Sequence, residues 1–569
     1  MNTENKLEIL PIGGISHVTQ NMYLYRYEKE IVLIDCGIGF PDLQMPGVDI
    51  LIPDINYLLK LLESGHKIVG MILSHGHDDH IGALPYILPN LPEFPIYASK
   101  LTAGFANNRL LDGGSLREVK VIPDRKTITL SENFQFTLFA MTHSVPDTKH
   151  ILLDTPVGKI YHGSDFKLDH HPVGGVLPDY EFIEQLSQQD IKLMLTDCLG
   201  VEKSTWTQSE STVGPQLEKE MADVKGKCII TLMSSHIDRI IQILHIAHKM
   251  NRKVAFIGRS VEQNVITASE LGFINDEYNV IINKKEIKNH SDDQLILIVA
   301  GSQGQEGSSL VRAIYGAHRE IQINSQDKVI FSADAIPGNE ITYYGAIDEL
   351  SINNVSVVYP VINPGVHQSG HARRPELIDL LSKVKPKKVF PIGGNNRHRA
   401  LYRDLVAVPL NYQLSDIILP EEGDIIGING NGEIRKTSNV NLRPQIVDGL
   451  GIGDVGPVVL SDRRALGQAG IIIVLIKRYR TKIKNSRSQL DKFGLALNDI
   501  RVVSRGFVFM KNADDVVDFI KNTSAQLIKK HYRPDKKEQS ERAVERGLAR
   551  SLYEIIKREP MIEVEILDC

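Results

Sequence analysis

The segment Ser74-His-Gly-His-Asp-Asp-His80 sets His75, His77, Asp79 and His80 close together, directly after the apolar run Met71-Ile-Leu73. Imidazole and carboxylate ligands at this density suit zinc or manganese, and their alternation lets His75 and His77 face one ion while Asp79 and His80 address a second. A solvated His-rich loop is the bland reading, and it leaves the spacing unexplained. Two later residues can complete a cage: His143, following the strand-like Phe136-Thr-Leu-Phe-Ala140, and Asp165, following Lys159-Ile-Tyr161. Each alone would pass for a surface or capping group. Asp165 is suited to bridging, because its two oxygens can bind both ions and offset their repulsion.

These ligands need a rigid frame. From Leu7 to about Asp197, short β-branched runs such as residues 31–35 and 69–73 alternate with helical stretches such as 55–63, the pattern of an α/β layer protein. A second α/β pattern covers about 204–358, where the apolar runs 228–232 and 253–257 flank a helical stretch at 237–250 and imply parallel pairing. Between 363 and 429, a further strand at 388–392 is a candidate to complete the first domain after an insertion, a discontinuity that periodicity does not show. The last part has a strand at 470–477, an amphipathic helix with Val544, Leu548, Leu552 and Ile555 near one face, and a final strand at 562–567. The boundaries read as 1–203 for the first part of the metal domain, 204–360 for the insertion, 361–435 for the completing part, 436–453 for a linker, and 454–569 for a small α+β domain. Residues 437–444 and 479–488 read as exposed connections.

A chain of 569 residues implies two to four domains, and 42% hydrophobic with 24% charged residues is ordinary for a soluble globular protein. A net charge of -5 excludes a generally basic binder while leaving room for a local basic groove. The run Lys477, Arg478, Arg480, Lys482, Lys484 and Arg487 reads first as a solvated loop, with RNA or partner contact as the other options. The four cysteines, Cys36, Cys198, Cys228 and Cys569, form no C-x-x-C pair, which argues against a disulfide framework or thiolate zinc site and for a reducing cytoplasm. The start of the chain lacks a signal-peptide pattern and its most apolar run, 471–476, is too short to span a bilayer, so no membrane association is expected.

The H-x-H-x-D-H motif, His143 and Gly163-Ser-Asp165-Phe-Lys resemble the metal motifs of metallo-β-lactamase-fold hydrolases, with Asp35 matching the structural acid that precedes the metal loop. Ala300-Gly-Ser-Gln-Gly304, Phe331-Ser-Ala-Asp-Ala-Ile-Pro-Gly-Asn-Glu340 and His367-Gln-Ser-Gly-His-Ala372 resemble the β-CASP nucleases, ribonuclease J in particular. Asp454-Val-Gly456, Leu460-Ser-Asp-Arg-Arg464 and Ser504-Arg-Gly-Phe507 extend the resemblance to about Leu7–Ile566. The resemblance implies an αβ/βα sandwich with an inserted β-CASP domain and a C-terminal domain that serves assembly as a homodimer or homotetramer, with a paralogous nuclease subunit as a further partner. It implies a 5'-to-3' exoribonuclease that also cuts internally, acts in RNA decay and maturation, and favours a 5'-monophosphate end. One or two zinc ions are implied, with manganese or magnesium as substitutes, and a calcium site at Asp49 and Asp448. By the same resemblance His371 is the proton donor, Asp197 assists it, and Asp79 joins them as catalytic. Ser234, Ser235 and His236, with His367, Gln368, Ser369, Gly370 and His371, look like the RNA-contact segments; their hydroxyls, imidazoles and close-approach backbone suit phosphate, while turn chemistry is the plainer account.

The chain departs from the family where P-x-H-G-E is expected: Pro391-Ile-Gly-Gly-Asn395 puts Gly393 in place of a histidine of the second ion, and nearby His398 is not assigned to that role. Gly14-Ile-Ser-His-Val-Thr-Gln-Asn21 replaces a glycine-rich turn, and Thr196-Asp-Cys-Leu-Gly200 keeps the acid with altered neighbours. Two other functions compete with an active RNA hydrolase. One is a catalytically weakened RNA-binding subunit, supported by Gly393; the other is a small-ester or thioester hydrolase, which leaves the β-CASP segments without a purpose.

Overall fold

Two sheets face each other across one apolar layer. The first runs in the order Ile434–Asn439, Asp424–Asn429, Lys6–Pro11, Tyr23–Tyr27, Glu30–Ile34, Lys67–Ile72, Ile96–Ala98, Val119–Val121. The second runs Lys388–Ile392, Ile191–Asp197, Gly158–His162, Lys149–Thr155, Gln135–Ala140, Thr127–Thr129. Tyr25 and Ile34 from the first sheet pack with Leu138, Ile151, Leu195 and Phe390 from the second. Each such side chain contributes about 1.5–3 kcal/mol on burial. Strand Glu30–Ile34 is buried at every residue and pairs in parallel with Lys67–Ile72, which explains its unbroken β-branched run. The strand expected near 388–392 does return to this layer, pairing in parallel with Ile191–Asp197. The computed structural model describes residues 6–42, 44–336, 338–449, 451–479, 490–507 and 514–569.

A third sheet, wholly parallel, has the order Lys253–Ile257, Leu295–Val299, Cys228–Thr231, Lys328–Phe331, Ser356–Val358. Its strands alternate with helices, among them Ile237–Lys249, whose buried Ile237, Ile240, Ile243, Leu244 and Ala247 recur at helical spacing. Parallel pairing carries the C-terminal ends of these strands to one edge, where ligand-binding loops of α/β sheets lie.

Contacts gather the chain into two units, Met1–Phe40 with Ile50–Gln445, and Pro41–Asp49 with Ile446–Cys569. In the second, Ile471–Arg478 pairs antiparallel with Arg501–Arg505 and parallel with Met561–Asp568. Helices Asp514–His531 and Lys537–Ile556 complete its core through Ile520, Ile528, Val544, Leu548 and Leu552. Ile555, expected on that buried face, is 61% exposed: it lies in the last turn before left-handed Lys557, which the sheet does not cover. The span 436–453, read as a linker, carries strand structure in Ile434–Asn439, Gln445–Asp448 and Gly451–Ile452. The first of these is an edge strand with no fully buried residue, and its polar sequence therefore shows no core-facing pattern. Of the basic run, Lys477 pairs with Asp499 and Arg478 with Asp568, while Arg480, Lys482, Lys484 and Arg487 lie outside the described residues. Among the described residues no helix is long and apolar enough to cross a membrane.

Candidate metal centre

Strand ends deliver the ligands. Lys67–Ile72 runs into the loop of His75 and His77 and the short helix Asp78–Ile81, Gln135–Ala140 leads to His143, Gly158–His162 leads to Asp165, and Ile191–Asp197 ends on Asp197. Asp35, at φ +59, holds the metal loop in place. Its carboxylate accepts from Ser74 N at 2.7 Å, Ser74 Oγ at 2.8 Å and His80 Nδ1 at 2.8 Å. Next to it, Gly37 allows the loop to come close: a Cβ there would stand 1.6 Å from the Asp79 carbonyl oxygen, which any other residue would displace.

Three imidazole nitrogens converge. His77 Nδ1 lies 3.1 Å from His75 Nε2 and 3.2 Å from His143 Nε2. His143 donates Nδ1–H to the Gly370 carbonyl at 2.7 Å, so its Nε2 carries a lone pair. Ser74 Oγ already donates to Asp35 and therefore accepts from His75 Nδ1 at 3.1 Å, which leaves a lone pair on His75 Nε2 as well. Nitrogens bound tetrahedrally at about 2.0–2.1 Å from zinc stand about 3.3 Å apart, close to the spacing of His77 Nδ1 from its two neighbours. The donor set thus fits a metal ion. Burial holds all three imidazoles neutral, His77 at about 3, with the neighbouring histidines reinforcing the effect on His75 and the Asp165 carboxylate opposing it at His77. Asp165 Oδ2 is 3.9 Å from His75 Nε2 and 3.8 Å from His143 Nε2, and thus stands as the fourth member of this group.

Asp165 also belongs to a second group with Asp79 and His80. His80 Nε2 is 3.5 Å from Asp165 Oδ2 and 3.7 Å from Asp79 Oδ2. Burial pushes Asp79 up to about 6, against the pull of His80. This group is the poorer fit. Gly393, at φ +66, contributes no side chain, although a Cβ there would lie 3.4 Å from Asp197 Oδ1 and 3.6 Å from Asp165 Oδ1. The Asn21 amide nitrogen also sits 3.0 Å from His80 Nε2 and crowds that ligand atom. His398 faces elsewhere, bonding Asn395 N at 3.3 Å, with its Nε2 3.7 Å from Glu202.

Asp197 and His371 adjoin both groups. Asp197 accepts from Leu199 N with one oxygen and from His371 Nδ1 at 2.8 Å with the other, and His371 Nε2 lies 3.9 Å from Asp165 Oδ2. Burial works against the charged ring, yet Asp197 and then Asp165 push His371 up to about 9. The adjoining cleft, of about 300 Å³, is lined by Ser234, Ser235, His236, His367, Ser369, Gly370 and His371. Gln368 is not in that lining; its amide bonds Gln208 at 3.3 Å. Of the residues read for calcium, Asp448 is ion-paired with Arg463 and Asp49 accepts from Gly449 N at 2.8 Å. Neither joins a metal-holding group among the described residues, since Arg463 already supplies the cation beside Asp448.

Sequence reading missed Arg239. Its guanidinium is fully buried, grips both Glu210 oxygens at 2.8 Å, and donates to the Ser332 carbonyl at 2.6 Å and to His367 Nδ1 at 2.9 Å. An arginine has no acceptor, so His367 accepts at Nδ1 and keeps its proton on Nε2. The available signal was a charge set into the apolar face of Ile237, Ile240 and Ile243. Arg109 was missed too; from helix Lys100–Asp112 it holds Asp78 bidentately at 2.8 and 2.9 Å.

Family models match the chain at residues 16–180 (metallo-beta-lactamase superfamily), 225–350 (ribonuclease J, beta-CASP domain), 358–410 (Zn-dependent metallo-hydrolase RNA specificity domain) and 458–569 (ribonuclease J C-terminal domain). Ribonuclease J 1 of Streptococcus pyogenes is 31% identical over 98% of this chain and 97% of its own. Ribonuclease J of Thermus thermophilus is 32% identical over 94% and 90%, and ribonuclease J2 of Bacillus subtilis 30% over 99% and 98%. A crystal structure of an Enterococcus faecalis protein of unknown function shares the fold, with a TM-score of 0.51 and 16% identity over 74% of this chain and all of that one.

Proposed function

The chain belongs to the ribonuclease J family of metal-dependent ribonucleases, and from that premise we propose that the His75–His77–His143–Asp165 group holds the principal ion for hydrolysis of RNA. The observation that carries this reading is the convergence of three imidazole nitrogens, with His77 Nδ1 within 3.2 Å of both His75 Nε2 and His143 Nε2, on the Asp165 carboxylate. Zinc suits the nitrogen-rich set, with manganese or magnesium as substitutes. Bound there, the metal supplies Lewis acidity toward water and the scissile phosphodiester. Asp35 fixes His80, the Gly370 carbonyl fixes His143, and Asp197 orients His371, whose proton goes to the leaving oxygen. Ser234, Ser235, His236, His367, Ser369 and Gly370 offer hydroxyl, imidazole and backbone contacts to the RNA phosphates.

The second group, Asp79, His80 and Asp165, takes a more weakly held ion. Substituting Gly393→His is expected to raise metal retained per chain after dialysis from one ion toward two, read by elemental analysis. The left-handed backbone at Gly393 makes the change cost about 1–2 kcal/mol of stability.

The direction of attack is 5'-to-3' from a monophosphorylated end, with internal cuts as a secondary activity in RNA decay and maturation. The full-length relatives and the intact first ligand set favour this over a weakened subunit or a small-ester hydrolase. A 5'-monophosphorylated, 3'-labelled RNA tests it: metal-dependent release of single 5' nucleotides is expected, and binding without turnover under zinc, manganese and magnesium would overturn it. The reading carries the domain boundaries given above, a cytoplasmic setting consistent with four free cysteines, and assembly as a homodimer or homotetramer, alone or with a paralogous subunit. Exposed Val458, Val459 and Leu466 on helix Pro457–Ala469 support a self-association face.

A further inference from the structure

Helices Asp514–His531 and Lys537–Ile556 enclose a groove of about 640 Å³ lined by His531, Arg533, Lys536, Arg542 and Arg546. All five side chains are exposed, and none forms an ion pair with a carboxylate among the described residues. Glu545 is the one acid in the lining, and one of its oxygens is taken by Val564 N at 3.2 Å; Glu541, outside the lining, accepts from Ile566 N at 2.8 Å. Ser540 ties the turn between the helices to this basic face, accepting from Arg533 N at 3.0 Å and donating to the Lys536 carbonyl at 2.9 Å. Arg546 Nε donates to the Arg542 carbonyl at 3.2 Å, which keeps the two guanidinium groups one turn apart on one side of the helix. The fold therefore concentrates four Lys and Arg side chains at a fixed place against the single carboxylate of Glu545, in a chain whose net charge is -5. Such self-repulsion is relieved by a polyanion, and Arg542 and Arg546, four residues and so about 6 Å apart along the helix axis, present a row of cations to an extended phosphate backbone.

We propose that this groove is a second RNA-binding site, which holds the backbone of the substrate outside the metal-centre cleft without reading its sequence. The proposal rests on the ribonuclease reading above. A second copy of the chain does not suit the groove, since two such faces would repel.

The test uses the full-length protein, wild type against Arg542→Gln/Arg546→Gln, with Arg533→Gln/Lys536→Gln as an independent pair on the turn. Affinity for a 5'-monophosphorylated RNA of about 30 nucleotides is expected to fall about tenfold, and the slope of log affinity against log salt to shrink by about 1.4 for two lost phosphate contacts. Hydrolysis of an RNA of about four nucleotides is expected to stay at the wild-type rate. Unchanged affinity and slope in both variants would overturn the proposal, as would equal losses on long and short RNA. Retention of an acidic protein by the same residues at unchanged RNA affinity would also overturn it. Wild-type protein that fails to cut the short RNA would instead count against the ribonuclease reading.

Discussion

Alanine in place of His371 is expected to lower RNA hydrolysis about 100- to 10,000-fold while leaving bound metal unchanged. Alanine in place of His77 is expected to lose the ion and hydrolysis together. The contrast follows from what each ring touches. His77 Nδ1 sits between His75 Nε2 and His143 Nε2, so its removal opens the cage. His371 spends Nδ1 on Asp197 at 2.8 Å and lines the substrate cleft, where Asp197 and Asp165 push it up to about 9. The Asp197 carboxylate on Nδ1 favours the protonated ring, whose Nε2 proton is then available to a departing oxygen. Asp197→Asn retains the shape but withdraws the charge, and an intermediate loss of turnover with little change in KM is expected. Elemental analysis paired with single-turnover kinetics separates these outcomes; wild-type turnover in His371→Ala would remove it from the proton-donor role.

Replacing Arg239 by methionine is expected to destabilise the first unit by about 3–5 kcal/mol, because Glu210 would be left as an unpaired charge in the interior. Arg239→Met/Glu210→Gln is expected to regain part of this, since the remaining amide carries no charge. Thermal unfolding followed by circular dichroism reads both. The same arginine fixes the proton of His367 and donates to the Gln368 carbonyl at 3.4 Å, so it also holds the loop that leads to His371. Protein rescued in stability by the double change should still bind RNA more weakly than wild type. Equal stability of Arg239→Met and wild type would show that the pair contributes nothing net.

The metal loop could be read in advance because its chemistry is local. His75, His77, Asp79 and His80 fall within six residues, and the β-branched run before them could only be a buried strand. Periodicity likewise exposed helix Ile237–Lys249 and the strands on either side. Polar edge strand Ile434–Asn439 was hidden for the opposite reason: without a buried face it carries no hydrophobic alternation. Residue types and their spacing by themselves determined the ligand inventory and the layered α/β class, and the resemblance to ribonuclease J marked Gly393 as standing where a histidine is expected. Only the tertiary structure decided which nitrogens face one another, that Arg239 and Glu210 pair, that Asn21 stands against His80 Nε2, and that Arg463 takes Asp448. Those facts depend on packing between segments tens to hundreds of residues apart, where hydrogen bonds select tautomers and burial selects charge states.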